Sequence, residues 1–210
     1  MIEYLDECDS TQTALIEGIK ATAIKPPYAI VAKSQSKGVG SRGNSWESQN
    51  GNLYFSFCVD KSALTADLPE ISASIYFAYL MKIYLSQMGS KVWLKWPNDF
   101  YLDDKKIGGV MTNKIGNIYV CGMGINLVSS PDYSDVLDIS VSPNSLVNGF
   151  CEILEMKYSW KEILSKFFVE FEKSKNFSSH VDGQIISLET AVLCNDGSIE
   201  INGKKVYSIR

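Results

Sequence analysis

The chain has 210 residues, of which 45% are hydrophobic and 21% are charged. A chain of this length and apolar content can bury a full core, so we expect one folded domain with at most a small appendage and exclude a disordered protein. The net charge of -4 argues against a general nucleic-acid-binding surface, although Lys95, Lys105 and Lys106 leave room for a local cationic pocket.

The cysteines and the N-terminus indicate the compartment. Five cysteines are scattered along the chain without a C-x-x-C pair, which favours neither a disulfide framework nor a zinc site. We therefore expect a reduced, cytoplasmic protein. The first residues are acidic and no apolar run reaches membrane-spanning length, so neither a signal peptide nor a membrane segment is expected.

The first quarter of the chain predicts a helix and two strands. Ser10 and Thr11 precede an apolar pattern that continues to Ile19, typical of an N-cap and a short amphipathic helix, and capping alone would explain both residues. Residues 28–33 and 52–59 are rich in aromatic and β-branched side chains, as expected of buried strands. The loop between the strands is too long for a hairpin turn, and such loops are usually functional.

That loop contains a literal G-x-G-x-x-G pattern at Gly38, Gly40 and Gly43. We reject a dinucleotide-binding fingerprint, because the fingerprint requires a helix directly after the glycines, whereas residues 44–51 are turn-like and lead into a strand. The glycines still allow backbone N–H groups to approach an anionic ligand, with added charge from Arg42. A flexible surface loop is the alternative interpretation.

The remaining elements follow from periodicity and turn signals. Residues 68–88 predict a buried helix that Gly89 ends, and the apolar run before Pro97 predicts a strand carrying Lys95. A hairpin is predicted from residues 106–112 and 118–121. Two helices at 145–155 and 160–173, with Ser142 and Ser159 as caps, precede a small β-meander over 184–209. The chain has no P-loop motif, and its single histidine, His180, lies far from any nucleophile motif.

Four separated stretches carry a family resemblance. They are Asp-Ser-Thr-Gln at 9–12, the loop and strand start at 35–54, Lys-Trp-Pro-Asn-Asp at 95–99 with its Lys-Ile-Gly-Gly tail, and Gly-x-Gly-Ile-Asn at 122–126. Together they resemble the catalytic core of the biotin–protein ligases (biotin–acetyl-CoA-carboxylase ligases). The resemblance implies an α+β fold like that of class II aminoacyl-tRNA synthetases, with a mixed sheet and flanking helices. We expect a catalytic domain at 1–180 and a shortened C-terminal β-segment at 181–210.

The implied activity is ATP-dependent attachment of biotin to a lysine of a biotin carboxyl carrier domain, through biotinyl-AMP. By matching motifs, the resemblance assigns catalysis to Lys95 and Arg42. It assigns biotin binding to Ser10, Thr11, Gln12, Gln35, Gly38, Val39, Gly40, Ser41, Lys95, Gly122 and Gly124. It assigns binding of ATP or the adenylate to Arg42, Asn44, Trp46, Lys95, Asn98 and Asn126. No metal ligand is assigned, although Mg²⁺ is expected with ATP.

The implied partner is the biotin carboxyl carrier protein of acetyl-CoA carboxylase or of a similar biotin-dependent carboxylase. We expect a monomer or homodimer that does not bind membranes. We also expect no nucleic-acid binding, because the Ser-Thr motif at residue 10 leaves no room for the DNA-binding domain of repressor-type relatives. The chain departs from the family at Val39, Ser41 and Asn44, where arginines are common. Two alternatives stay open: a lipoate or octanoate ligase or transferase of the same superfamily, and a regulatory protein that binds biotin without catalysis.

Overall fold

A seven-stranded mixed sheet organises the computed structural model, which describes residues 1–40, 45–181 and 184–207. In chain order the main elements are β1 (Ile2–Cys8), α1 (Thr11–Lys20), β2 (Tyr28–Gln35), β3 (Leu53–Asp60), α2 (Ala73–Gln87), β4 (Trp93–Lys95), β5 (Asp99–Leu102), β6 (Lys105–Ile115), β7 (Ile118–Ile125), α3 (Pro143–Glu155) and α4 (Trp160–Ser174). The sheet order is β1-β2-β3-β7-β6-β5-β4. The predicted α+β class is confirmed.

The two faces of the large sheet have different environments. Along β3 and β7, alternate residues such as Phe55, Phe57 and Met123 pack into the main core with α2, α3 and α4. On the other face, Cys58 and Val120 pack against α1. Since α1 is a single helix of ten residues, it covers only part of this second face, and the uncovered part contains the cavity described below.

Most predicted elements are confirmed, and their boundaries follow local signals. Ser10 caps α1 by accepting a hydrogen bond from the backbone N–H of Thr13. Ser142 and Ser159 cap α3 and α4, and Ser159 forms a capping box with Glu162. The helix predicted at 68–88 is shorter, because a 3-10 turn (Glu70–Ser72) precedes α2.

The sequence interpretation missed two strands of the large sheet and the strand β8 (Ser178–Val181). β1 is an edge strand paired in parallel with β2, and its acidic side chains hide the strand pattern. β5 has only four residues and follows Pro97, so the strand is too short for an alternating hydrophobic pattern to be recognised. At the opposite edge of the sheet, α4 covers β4: Leu94 N–H donates to Glu170 Oε2 (3.2 Å) and Trp96 N–H donates to Ser174 Oγ (3.0 Å).

The C-terminal segment forms two small sheets, a pair of β8 (Ser178–Val181) with β9 (Gln184–Ser187) and a three-stranded sheet of β10 (Val192–Leu193), β11 (Ile199–Ile201) and β12 (Lys204–Val206). Leu193 and Ile199 belong to the main core, and the Gly197 carbonyl accepts a hydrogen bond from Trp96 Nε1 (2.9 Å). The predicted domain boundary after residue 180 stays a prediction and would fall inside β8. Within the described ranges, no helix combines the length and hydropathy needed to cross a bilayer.

Candidate functional site

A cavity opens on the partly uncovered face of the large sheet. It contains about 490 Å³ of space between atoms, part of it open to solvent. The start of α1 and the strands β2, β3, β6 and β7 all contribute to it. The lining residues of this first cavity are Ser10, Thr11, Gln12, Gln35, Val39, Gly40, Trp46, Tyr54, Ser56, Asn98, Asp99, Lys106, Gly109, Val110, Met111, Gly122, Met123 and Gly124.

One end of the first cavity is a network of hydroxyl and amide groups. Gln35 Oε1 accepts hydrogen bonds from the backbone N–H of Thr11 (2.8 Å) and from its hydroxyl (3.2 Å). The hydroxyls of Thr11 and Ser56 are 2.8 Å apart. The N-cap position therefore has two roles, because Ser10 and Thr11 both begin α1 and line the cavity.

Gln12 presents an acceptor to the same cavity. Its Nε2 donates to Asn113 Oδ1 (3.0 Å) and to the Val120 carbonyl (2.9 Å). A carbonyl can only accept, so these bonds fix the orientation of the Gln12 amide. Its Oε1 is buried and has no hydrogen-bond partner among the described residues. A buried acceptor of this kind indicates a ligand that donates a hydrogen bond.

The two predicted glycines of β7 make space for neighbouring side chains. A Cβ added at Gly122 would lie 2.8 Å from Gln12 Oε1, and one added at Gly124 would lie 2.6 Å from Trp46 Cε2. Contacts this short do not occur with real side chains, so the indole of Trp46 can lie against β7 only because residue 124 lacks a side chain. The Trp46 backbone N–H donates to the Gly38 carbonyl (2.8 Å), which connects the two ends of the glycine-rich loop.

Tyr54 completes the wall on β3. Its hydroxyl donates to the Gln49 carbonyl (2.8 Å) and accepts from the Gln49 N–H (2.6 Å). Burial raises the pKa of this hydroxyl above its ordinary value, so it stays protonated at neutral pH. Tyr54 therefore anchors residues 49–54 and carries no charge into the cavity.

A second cavity, of about 940 Å³ including open solvent, adjoins the first. It shares Gly40, Trp46 and Lys106 with the first cavity. Its other lining residues are Ser45, Glu47, Gly108, Asn126, Pro131, Tyr133 and Ser134. The side chain of Asn126 donates to the Asp135 carbonyl (3.1 Å), so this residue also shapes the wall. Lys106 and Trp46 thus stand at the junction of the two cavities.

The two lysines of the central motif lie in different surroundings. Lys106 Nζ is 2.7 Å from Asp99 Oδ1 and 6.0 Å from the centre of the Trp46 ring. Lys95 is buried, with Nζ 3.4 Å from the Tyr101 hydroxyl and 5.6 Å from the centre of the Phe177 ring. Lys95 lines neither of the two cavities. Lys106 is therefore the lysine of this motif that lines both cavities, and the catalytic role of Lys95 stays a prediction.

The structure brings most of the other predicted residues together. Ser10, Thr11, Gln12, Gln35, Val39, Gly40, Trp46, Asn98, Gly122 and Gly124 line the first cavity, and Asn126 lines the second. Gly38 adjoins them, since a Cβ added there would be 3.1 Å from Gln35 Nε2. Asn98 was predicted on the adenylate side but lines the first cavity and not the second. Ser41, Arg42 and Asn44 lie outside the described residues.

Several lining residues were missed by the sequence interpretation. Ser56, Gly109 and Met111 line the first cavity. The available signal was the Lys-Ile-Gly-Gly tail, which carries both a cation and a glycine of the site. For metal binding, the described residues contain no cluster of three or more His, Cys, Asp or Glu side chains.

Comparison with known proteins identifies the family. Residues 4–127 match the model of the biotin/lipoate A/B protein ligase family. A solved structure of biotin acetyl coenzyme A carboxylase synthetase from Helicobacter pylori, with bound biotinylated ATP, is 44% identical, with 98% of each chain covered and a TM-score of 0.95. The biotin protein ligase of Aquifex aeolicus in complex with biotin and ATP is 22% identical, covers 100% of this chain and 98% of that one, and has a TM-score of 0.69, which shows a likeness of fold alone.

A further relative, the bifunctional ligase/repressor BirA of Escherichia coli, is 35% identical over 135 residues. This match covers 60% of the present chain and 40% of the relative, so the chain spans less than half of that protein's length. The family model itself covers the segment that supplies the start of α1, the glycine-rich loop, β6 and β7. On this match, and on a cavity built from the same segment, the chain belongs to the biotin/lipoate A/B protein ligase family.

Proposed function

We propose that this chain is a biotin–protein ligase that activates biotin with ATP and transfers it to a lysine of a carrier protein. The observation that carries this proposal is the meeting of two cavities at Lys106. A ligase of this kind must hold two substrates end to end, with the reacting carboxylate and the α-phosphate at the junction. An ammonium at that point faces both reacting anions.

The polar end of the first cavity fits the ureido ring of biotin. A ureido group has two N–H donors and one carbonyl acceptor, and the cavity offers the unpartnered Gln12 Oε1 together with the hydroxyls of Ser10 and Thr11. Gly122 would let the ring approach the backbone of β7 beside Gln12 Oε1, whereas the space beside Gly124 holds the indole of Trp46. The remaining predicted biotin contacts, from Gln35 to Ser41, border the same end or lie in the glycine-rich loop.

In the first step, the biotin carboxylate attacks the α-phosphorus of ATP, a new C–O–P linkage forms and pyrophosphate leaves. The two reacting groups repel each other because both are anionic. At an effective dielectric constant of about 20, a charge contact at about 4 Å is worth roughly 4 kcal/mol, so the Lys106 ammonium would offset much of this repulsion. We propose this role for Lys106, while the same role for Lys95, which the resemblance implies, stays a prediction.

The second cavity would take the nucleotide. Trp46, Tyr133 and Asn126 provide two rings and an amide for an adenosine. Arg42 and Asn44 stay as predicted phosphate-side residues. Mg²⁺, also a prediction, would arrive on the phosphate oxygens of ATP, which are its preferred type of ligand.

In the second step, the amine of a carrier lysine attacks the acyl carbon of biotinyl-AMP, an amide bond forms and AMP leaves. The name of the Helicobacter pylori relative, a biotin acetyl coenzyme A carboxylase synthetase, makes a biotin carboxyl carrier protein the proposed partner. Cytoplasmic location, a monomeric or homodimeric state, and the lack of nucleic-acid or membrane binding stay predictions.

The test combines the protein with biotin, ATP-Mg²⁺ and a biotin carboxyl carrier domain. We expect biotinylated carrier, AMP and pyrophosphate. Parallel reactions with lipoate and octanoate separate the alternative ligase activities, since the proposal requires biotin to be strongly preferred. Biotin binding without biotin-dependent release of pyrophosphate would instead indicate a regulatory protein.

A further inference from the structure

A buried asparagine outside both cavities holds the segment that walls the second one. Asn52 precedes β3 and is 4% exposed. Its Oδ1 accepts hydrogen bonds from the backbone N–H groups of Leu127 (2.8 Å) and Val128 (3.0 Å), and more weakly from that of Ser129 (3.4 Å). Its Nδ2 donates to the Ser129 carbonyl (2.9 Å). One side chain thus satisfies the backbone of three consecutive residues that follow β7.

The same segment is held at a second place. Asp135 N–H donates to the Lys106 carbonyl (3.0 Å), and Leu137 N–H donates to the Asn126 carbonyl (2.8 Å). Between these two attachments lie Pro131, Tyr133 and Ser134, the residues that this segment contributes to the second cavity. Residues 127–142 contain no helix or strand, so their path depends on such attachments and not on a regular backbone ladder.

The position of Asn52 distinguishes it from a core residue. It lines neither cavity and does not belong to the hydrophobic core. The β3–β7 pairing next to it, from Leu53 with Ile125 to Asp60 with Ile118, does not use its side chain. Loss of the side chain would therefore release the start of the segment at 127–129 while the sheet beneath it keeps its pairing.

We propose that Asn52 is a positioning residue for the nucleotide: it fixes residues 127–129 and thereby holds Pro131, Tyr133 and Ser134 in place to bind ATP, without touching ATP itself. This inference rests on the proposed function, since it takes the second cavity to be the nucleotide site. If residues 131–134 occupy the ATP-binding position for only a fraction of the time, the apparent dissociation constant of ATP rises by the inverse of that fraction. Biotin, held by α1 and the strands, should be unaffected.

The experiment compares Asn52→Ala and Asn52→Asp with the wild-type protein, and uses Asn50→Ala as the matched control because Asn50 is an exposed asparagine two residues away. For Asn52→Ala we expect the KM for ATP to rise by about tenfold, with kcat and the dissociation constant of biotin changed by less than about threefold. Asn52→Asp keeps the acceptor for the three amides and should recover most of the ATP affinity. Asn50→Ala should behave as the wild type.

A direct readout is amide hydrogen exchange at residues 127–129 without nucleotide, which should accelerate in Asn52→Ala and not in Asn50→Ala. An unchanged KM for ATP in a folded Asn52→Ala variant would overturn the proposal, as would an equal loss of ATP and biotin affinity. If Asn52→Ala does not fold, Asn52→Ser takes its place, because the shorter side chain cannot reach all three amides: the proposal requires ATP affinity to fall while biotin affinity does not. Calorimetric binding of ATP separates this inference from the ligase activity, because a wild-type protein that binds ATP but makes no adenylate contradicts only the latter.

Discussion

Lys106 Nζ and Asp99 Oδ1 are 2.7 Å apart, at the point where the first and second cavities meet. The pair arises from the β5–β6 hairpin, in which Asp99 lies opposite Gly109 and the register shifts between Phe100 and Tyr101. A lysine ammonium has three donors, and Asp99 occupies one of them, so the other two can contact substrates. The carboxylate thus orients the ammonium towards the junction.

Replacement of this ammonium tests its role in activation. We expect Lys106→Met to lower the rate of biotin-dependent pyrophosphate release by about 10²–10³-fold, the typical cost of one preorganised charge-stabilising donor. Lys95→Met, which keeps the apolar stem, should change the rate by less than about threefold. The measurement is single-turnover adenylate formation. A larger loss in Lys95→Met than in Lys106→Met would return the catalytic role to Lys95.

Removal of the charge on Asp99 tests the orienting role. Asp99→Asn keeps the shape of the side chain and an acceptor oxygen but removes the carboxylate charge, so the ion pair with Lys106 becomes a weaker bond between an ammonium and a neutral amide. We expect adenylate formation to slow by about tenfold, or about 1.4 kcal/mol, with little change in biotin affinity. Glu47→Gln is the control, because Glu47 lines the second cavity without an ion pair among the described residues. Equal effects of the two changes would contradict a specific role for Asp99.

Substitutions at the two glycines of β7 should change the affinities for biotin and ATP differently. A methyl group in Gly122→Ala would press on Gln12 Oε1, so biotin affinity should fall by at least about tenfold while ATP affinity is kept. A methyl group in Gly124→Ala would displace the Trp46 indole, so ATP affinity should fall as well. Calorimetric titration of each ligand alone measures both effects. Identical ligand profiles for the two variants would contradict the assignment of the cavities.

Alkaline pH should destabilise the fold through buried tyrosines. Burial raises the pKa of Tyr76 from 10.0 to about 12, and the carboxylates of Asp67 and Glu162 add to the shift. The unfolded state therefore loses the phenolic proton at a lower pH than the folded state does. The free energy of unfolding is unaffected by this group below pH 10 and falls as the pH rises from 10 towards 12. We expect the urea midpoint to fall over that range.

The control for this prediction is Tyr76→Phe. The variant loses the hydrogen bond to the Tyr158 carbonyl (2.8 Å), which should cost about 1 kcal/mol at pH 7. Its urea midpoint should nevertheless decline less steeply between pH 10 and 12 than that of the wild type. Parallel decline in the two proteins would show that Tyr76 does not contribute to alkaline unfolding.

The covered edge of β4 gives a prediction about stability alone. Ser174 is fully buried and its hydroxyl accepts from Trp96 N–H, so Ser174→Ala leaves a buried donor unsatisfied and should cost about 1–3 kcal/mol. Ser165 is an exposed serine of the same helix whose hydroxyl donates to the Glu162 carbonyl, and Ser165→Ala should cost less than about 0.5 kcal/mol. Urea denaturation measures both. If Ser174→Ala lowers the free energy of unfolding no more than Ser165→Ala does, the hydrogen bond from Trp96 N–H to α4 does not stabilise the fold.

Local features of the chain were predictable from the sequence because their causes are local. Capping depends on one side chain and the next turn of backbone, so Ser10, Ser142 and Ser159 were recognised correctly. The hairpin of β6 and β7 follows from two apolar runs around a turn. The motifs also indicated the family and most of the residues that line the first cavity.

Tertiary structure decided which lysine lies where the two cavities meet and which side chain holds residues 127–129. The central motif contains both Lys95 and Lys106, and only the sheet order shows that β4 is the edge strand while β6 lies beside β7. The face of the sheet on which a side chain lies depends on strand pairing and register, and a bulge or a shift of one residue changes it. The hydrogen bonds between Asn52 and residues 127–129 join residues that are 75 to 77 positions apart in the chain. The sequence by itself therefore determined the family and the local elements, whereas the lysine at the junction and the wall of the second cavity required the folded chain, because both depend on contacts between distant segments.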